Sequence, residues 1–249
     1  MKRTVGYAFV FLLGLTVFLV VFAPAATVWQ LFKSDVTRQA PNLQVISLDG
    51  TIWRGEGVAR YWNFPPVNIV WTVLPRSLIH GRVDLIGQLV ADQLHLQGNT
   101  RLMRATSLTN IEGFVGNSWI NAVSSNYGLK FSGDLQIDRL SATSDYRWFK
   151  TASGILHWDG GQVMYRTAQG TQSFVLPPLD ARLHMVGDDL HLDVTQEAAS
   201  VMEITLHRTG WLKVDLKTRL FDLAKLPWPA GQPQGETALS VEVQLFPAR

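Results

Sequence analysis

Residues 237–245, TALSVEVQL, place Leu239, Val241, Val243 and Leu245 on one side of an extended chain and Ser240, Glu242 and Gln244 on the other. Successive side chains of a strand point to opposite faces, so this alternation predicts a strand with one buried and one wet side, as in an antiparallel sheet. The same period of two recurs in LHLDV (190–194), MEITLH (202–207) and WLKVDLKTRL (211–220), and upstream in GRVDLIGQLVA (81–91), DQLHLQG (92–98) and LKFSGDLQIDRL (129–140). Glycines punctuate these segments at candidate turns and bulges. After residue 45 the only helical pieces indicated are short ones near 74–78 and 118–125. The fold class read from the pattern is mainly β.

The N-terminus differs. After Lys2 and Arg3 comes VGYAFVFLLGLTVFLVVF (5–22), and no charged residue occurs between Thr4 and Phe32. Eighteen such residues rise about 27 Å as a helix, close to the hydrocarbon thickness of a bilayer. A single transmembrane helix over 5–26 is therefore expected, with 1–4 as a cytoplasmic tail and the rest outside, because Lys2 and Arg3 precede the span. A cleaved signal peptide is the alternative, since Ala23-Pro24-Ala25 resembles a small-x-small cleavage site. Residues 27–42 read as a juxtamembrane segment closed by Pro41.

The 249 residues carry a formal net charge of +2 with no run of like charges, so nothing points to nucleic acid. There is no cysteine, which removes thiol nucleophiles and thiolate metal sites. No nucleophile elbow, phosphate loop or zinc-protease motif is present. The six histidines are scattered, and His95 and His191 lie between leucines, on the polar side of strands. Asp188-Asp189 and Asp134/Asp138 are the carboxylate pairs that general acid–base work could use, and at Gly187-Asp188-Asp189 a hairpin turn is the simpler reading. No enzyme, metal site or cofactor is expected.

The stretch GTIWRGEGV (50–58) is echoed by GILHWDGGQV (154–163), FPPVNIVW (64–71) by LPPLDARL (176–183), and ADQLHL (91–96) by GDDLHL (187–192), in the same order. Two weakly repeated β units, 43–133 and 134–249, follow from that order, forming one continuous sheet or two coupled ones. A doubled Trp-plus-glycine signature (Gly50, Trp53, Gly55; Gly154, Trp158, Gly160) reads as a structural corner in which a large ring fills the buried face. Tyr61, Trp62 and Phe64, with Trp71, form either core or an exposed apolar patch for a partner or a lipid.

The succession SLDGTIWRG (47–55) and WTVLPRSLIHGRV (71–83) resembles the type II secretion system protein N family of Gram-negative bacteria, with its G-x-x-W-x-G corner (Gly50, Trp53, Gly55) followed by W-x-x-x-P-x-x-L-x-x-G (Trp71, Pro75, Leu78, Gly81). The resemblance covers the anchor and residues 43–140. It implies a periplasmic β domain on an inner-membrane anchor, acting without catalytic residues or cofactor in the export of folded proteins across the outer membrane. The implied partners are the inner-membrane platform, the connecting protein or the secretin. More distantly, the doubled unit is similar to the grooved sheets of AsmA-type envelope proteins, which implies lipid binding or transfer as the second reading.

Overall fold

The computed structural model describes residues 2–145, 147–167, 170–226 and 235–244. Helix α1 (Lys2–Val21) breaks at residues 22–24 and α2 (Ala25–Gln39) follows. Pro24 causes the break: it precedes α2 with an extended ψ of 133°, and it bridges Thr51. Among the described residues no helix is long and apolar enough to cross a membrane; the side chains of 1–6, 8–10, 13 and 17 lie outside that set. Where one helix over 5–26 is expected, α1 ends at Val21 and α2 begins at Ala25, and the juxtamembrane segment 27–42 is helical as far as Gln39.

Six strands then meander: β1 (Leu43–Gly50), β2 (Arg54–Tyr61), β3 (Val67–Leu74), β4 (Val83–Ala91), β5 (Leu94–Leu102) and β6 (Ser107–Val115), with the single turn α3 (Pro75–Leu78) between β3 and β4. Next come α4 (Asn117–Ser124), β7 (Leu129–Phe131), β8 (Leu135–Ser144), β9 (Phe149–Trp158), β10 (Gly161–Thr167), β11 (Gly170–Leu176), β12 (Leu179–Val186), β13 (Asp189–Gln196), β14 (Ala199–Leu206), β15 (Trp211–Lys217), α5 (Thr218–Ala224) and β16 (Thr237–Gln244). Thirteen strands form one antiparallel sheet in the order β1-β2-β3-β4-β5-β6-β8-β9-β12-β13-β14-β15-β16. The three left out, β11-β10-β7, make a small second sheet.

Register explains why the sheet has two unlike faces. One line of directly paired residues runs Leu48, Gly57, Ile69, Leu89, Leu96, Gly113, Ile137, Leu156, Ala181, Val194, Met202, Leu216, Leu239. Its neighbour on the same face runs Gly50, Gly55, Trp71, Gly87, Gly98, Ile111, Leu140, Gly154, Leu183, Leu192, Ile204, Val214, Val241. Every position in both lines is apolar or glycine. Because the side-chain period is two, the intervening residues form the opposite face, and there Arg182, Asp193, Glu203, Asp215 and Ser240 stand in register.

The apolar face is covered at two places. Helix α2 lies over β1–β3, with Ala25 buried and a cavity of about 420 Å³ between them lined by Val28, Trp29, Phe32, Leu48, Ile69 and Trp71. At the other end the small sheet and α5 enclose the main core: Val163, Leu176, Leu179, Val194, Val201 and Ala224, with Phe131, Trp158, Leu220 and Leu223 packed around them. Val201 is fully buried, and burying such a side chain contributes about 1.5–3 kcal/mol. Between these covers, over β3–β6, a groove of about 250 Å³ is bounded by Ile69, Trp71, Leu85, Leu89, Leu96 and Ile111, with Gly87 and Gly98 as its floor.

Three segment readings change. WLKVDLKTRL ends as a strand at Lys217 and turns into α5; Thr218 is wholly buried and its hydroxyl accepts from the Gly235 N–H at 2.8 Å. LKFSGDLQIDRL is two strands in different sheets, β7 and β8, because the chain must pass Trp158: a Cβ on Gly133 would sit 2.5 Å from that ring's Nε1. Residues 43–133 and 134–249 are joined in one sheet through β6 and β8, and β7 pairs forward with β10 across that boundary.

Candidate functional site

The N-terminal signature assembles one corner of the sheet. Gly50 closes β1 with φ +87°, where an added Cβ would meet the Arg54 carbonyl oxygen at 2.6 Å. Trp53 occupies the β1–β2 turn, half-buried, and its indole N–H donates to the Val20 carbonyl at the end of α1, 2.9 Å away. Beside it the Ile52 amide donates to the Ala23 carbonyl at 3.1 Å. Trp53 therefore fastens the first hairpin to the junction of the two helices, and the ring on the apolar face is that of Trp71. Trp71 lies directly across from Gly55, whose Cβ would stand 2.5 Å from Trp71 Cζ2, and its indole N–H donates to the Thr51 carbonyl at 3.2 Å.

The second half of the motif is the passage from β3 to β4. Pro75 opens α3, where its missing N–H costs nothing. Ser77 is buried; its hydroxyl donates to the Leu74 carbonyl at 2.6 Å and accepts from the Asp84 amide at 3.0 Å. Gly81, at φ +66°, lets the chain reverse into β4. Leu78 and Ile79 are left exposed, Ile79 at 84%.

The C-terminal signature stands in another setting. Gly154 lies in the middle of β9 against Leu183, Trp158 ends that strand with its ring edge-on to Phe131 at 6.2 Å, and Gly160, at φ +79°, turns the chain out of the large sheet toward β10. A Cβ on Gly160 would approach Pro177 to 2.7 Å. This signature seats the small sheet on the large one.

The three aromatic patch residues divide. Tyr61 and Trp62 are exposed at 48% and 51%, with Trp62 at φ +49° on the turn after β2. Phe64 folds inward and stacks on Trp119 of α4 at 5.8 Å and 21°. Trp119 is buried, and its indole N–H donates to the Asp92 carbonyl at 2.9 Å. Sequence pattern alone did not separate these residues, because the packing partner of Phe64 is some fifty residues away.

The polar face carries paired charges. Lys213 lies 2.9 Å from Asp215, whose carboxylate raises its pKa. In the β8–β9 turn the Asp145 carboxylate accepts the backbone N–H groups of Trp148 (2.9 Å) and Arg147 (3.1 Å), which hold its pKa below the ordinary value. His95 and His191 are on this polar face, His191 paired across from His184. Asp188 sits in the two-residue turn before β13, and Asp189 starts that strand and contacts His207 at 2.9 Å. Among the described residues no group of three or more His, Asp or Glu side chains gathers to hold a metal.

A family model described as type II secretion system (T2SS), protein N, matches residues 41–227, which is 187 of the 249 residues. The chain belongs to the type II secretion system protein N family. Neither curated proteins nor solved structures gave a match. For a protein N chain the match begins just before β1 and runs through β15 and α5, leaving β16 outside it, and it reaches well beyond the stretch 43–140 on which the motifs lie. Membership connects the chain with type II secretion and with the other components of that system, as an accessory component.

Proposed function

We propose that this protein is an accessory inner-membrane component of the type II secretion system that acts by protein–protein contact. The family match over 41–227 carries this reading. The apolar run 5–22 behind Lys2 and Arg3 supports a single-pass anchor with a cytoplasmic N-terminus and a periplasmic sheet. The division into β units 43–133 and 134–249 belongs to the same proposal. Contacts with the platform, the connecting protein or the secretin fall to surfaces such as the Tyr61 and Trp62 turn, where two large rings stand in solvent. The test is a gene deletion complemented by wild type or by a Tyr61→Ser, Trp62→Ser double variant. Exported enzymes trapped in the periplasm of the deletion strain, and still trapped with a stably produced double variant, support the reading. Normal secretion in the deletion strain refutes it.

The two apolar register lines favour one further reading, an envelope lipid-binding protein. A sheet face has all its backbone groups paired within the ladder, so an extended peptide laid on it would find no hydrogen-bond partners. An acyl chain needs none. The groove above Gly87 is the place to look: nothing but the Val70 carbonyl oxygen, at 3.8 Å, lies within 4 Å of an added Cβ there. Protein purified with bound phospholipid that Gly87→Leu abolishes, at unchanged thermal stability, supports lipid binding; lipid-free wild type rejects it.

A further inference from the structure

The two ends of the thirteen-stranded sheet are protected unequally. At one end β1 has α2 packed against it and its register is interrupted between Val45 and Ser47, which twists an edge away from flat pairing. At the other end β16 has one irregularity near its start, where Leu216 and Lys217 pair with Leu239 and Thr237, but from Leu239 to Gln244 its register is unbroken and among the described residues no helix packs on it. Its eight residues contain no proline and one charge, Glu242, and among the described residues it pairs only with β15. Leu239, Val241 and Val243 project on the apolar face and are 48%, 44% and 41% exposed. An apolar edge that runs in regular register from Leu239 to Gln244 is a template for another strand.

We infer that β16 pairs antiparallel with β16 of a second copy of this chain. A two-fold axis normal to the sheet lays the strand on itself antiparallel and keeps the apolar faces of both copies on the same side, a closed, self-complementary contact. The polar pattern selects the register. Centred on Val241, the pairs are Val241 with Val241, Leu239 with Val243 and Ser240 with Glu242, so apolar residues face apolar ones and no like charges meet. Centred on Glu242, two carboxylates stand directly opposed, which destabilises a cross-strand pair. Centred on Ser240, Val243 falls opposite Thr237. In the favoured register both apolar lines, which end on Leu239 and Val241, run on into the second copy without a break. The pairing does not depend on the protein's role in secretion.

The chain has no cysteine, so single introduced thiols report the register directly. Full-length protein in mild detergent is oxidised and run without reductant. Val241→Cys is expected to give a covalent dimer, while Leu239→Cys alone cross-links at least tenfold less because its partner position is Val243. Mixing Leu239→Cys with a size-tagged Val243→Cys chain restores the cross-link as the mixed dimer. Val241→Lys sets two cations in opposition; it is expected to convert the wild-type dimer to monomer in sedimentation, with an unchanged circular dichroism spectrum because Val241 is a surface residue of the edge strand. A monomeric wild type at micromolar concentration, or equal cross-linking of Val241→Cys and Leu239→Cys alone, overturns the inference.

Discussion

Three glycines of one apolar line, Gly55, Gly87 and Gly98, offer a test of how the face is built, because alanine meets a different obstacle at each. None of them has a positive φ, so backbone strain is not a variable. At Gly55 the methyl would lie 2.4 Å from the Asp49 carbonyl oxygen and 2.5 Å from Trp71 Cζ2; at Gly98 it would lie 2.4 Å from the Asn110 carbonyl oxygen. Both carbonyls belong to neighbouring strands of the ladder and cannot swing aside as a side-chain tip can. Overpacking costs about 1–3 kcal/mol, and an obstacle in the backbone places both sites in the upper part of that range. At Gly87 the nearest atom is the Val70 carbonyl oxygen at 3.8 Å, ordinary contact. There the change removes conformational freedom from the unfolded chain and stabilises by about 0.4–1 kcal/mol. For a domain of this size 1 kcal/mol moves Tm by about 2–4 °C, so Gly87→Ala should melt roughly 1–4 °C above wild type and the other two roughly 4–12 °C below. Thermal melts of the three full-length variants under one set of conditions measure this. If Gly87→Ala falls together with Gly55→Ala, the reasoning from space is refuted; if Gly55→Ala is neutral, the close approach of Trp71 to the sheet is.

Trp53→Phe keeps a ring but removes the donor to Val20; it should cost about 0.5–1.5 kcal/mol and speed amide exchange at Ile52, bonded to Ala23, while Val73, bonded to the Trp53 main chain, stays protected. Unchanged exchange at Ile52 would show that the indole does not hold the hairpin to the helices. The β13–β14 turn uses two non-glycine residues at positive φ, Glu197 (50°) and Ala198 (65°), so the double change to Asn-Gly should stabilise by roughly 1–2 kcal/mol and raise Tm accordingly. Asp145 has its folded pKa lowered by the N–H groups of Trp148 and Arg147, so its contribution is present above the ordinary carboxylate pKa and is lost as pH falls through the lowered folded value. Amide exchange at Arg147 and Trp148, corrected for the intrinsic pH dependence, should accelerate only in that acid range, and in Asp145→Ala it should be fast at every pH.

Local alternation made the antiparallel sheet legible, because a strand that buries one face and wets the other must write period two into its sequence. It could not show the order of the strands. LKFSGDLQIDRL alternates as far as Ile137, yet a three-residue pause centred on Gly133 sends its two halves into different sheets, a choice made by contact with Trp158 on a later strand. Lys217 to Ala224 was hidden for a similar reason: Leu216, Leu220 and Leu223 satisfy a strand pattern at their start and a helical one at their end, and the burial of Thr218 decides where the change falls. The glycines and tryptophans of the signature were visible as structural, but the partner of Trp53 is a carbonyl in the N-terminal helix, and no side-chain pattern records a bond to main chain. Phe64 and Trp62 differ by two residues in sequence and by their whole environment in space.

The six N-terminal signature residues have a common address, and it bears on what the family motif means. Gly50, Trp53, Gly55, Trp71, Pro75 and Gly81 lie at the end of β1–β4 that meets the break between α1 and α2. None of them titrates, the two indole N–H groups are already bonded to main-chain carbonyls, and the Trp53 amide donates to the Thr51 hydroxyl. A corner made in this way transmits position rather than chemistry: it fixes the angle at which the N-terminal segment leaves the sheet, and any load on that segment passes into the hairpin through Trp53 and Ile52. What distinguishes one partner from another must then come from outside the motif. In this protein the surfaces that qualify are the exposed Tyr61 and Trp62 beside the start of β1, the uncovered groove over β3–β6 and the edge strand β16, each of them free of the signature residues except where Trp71 forms a wall of the groove.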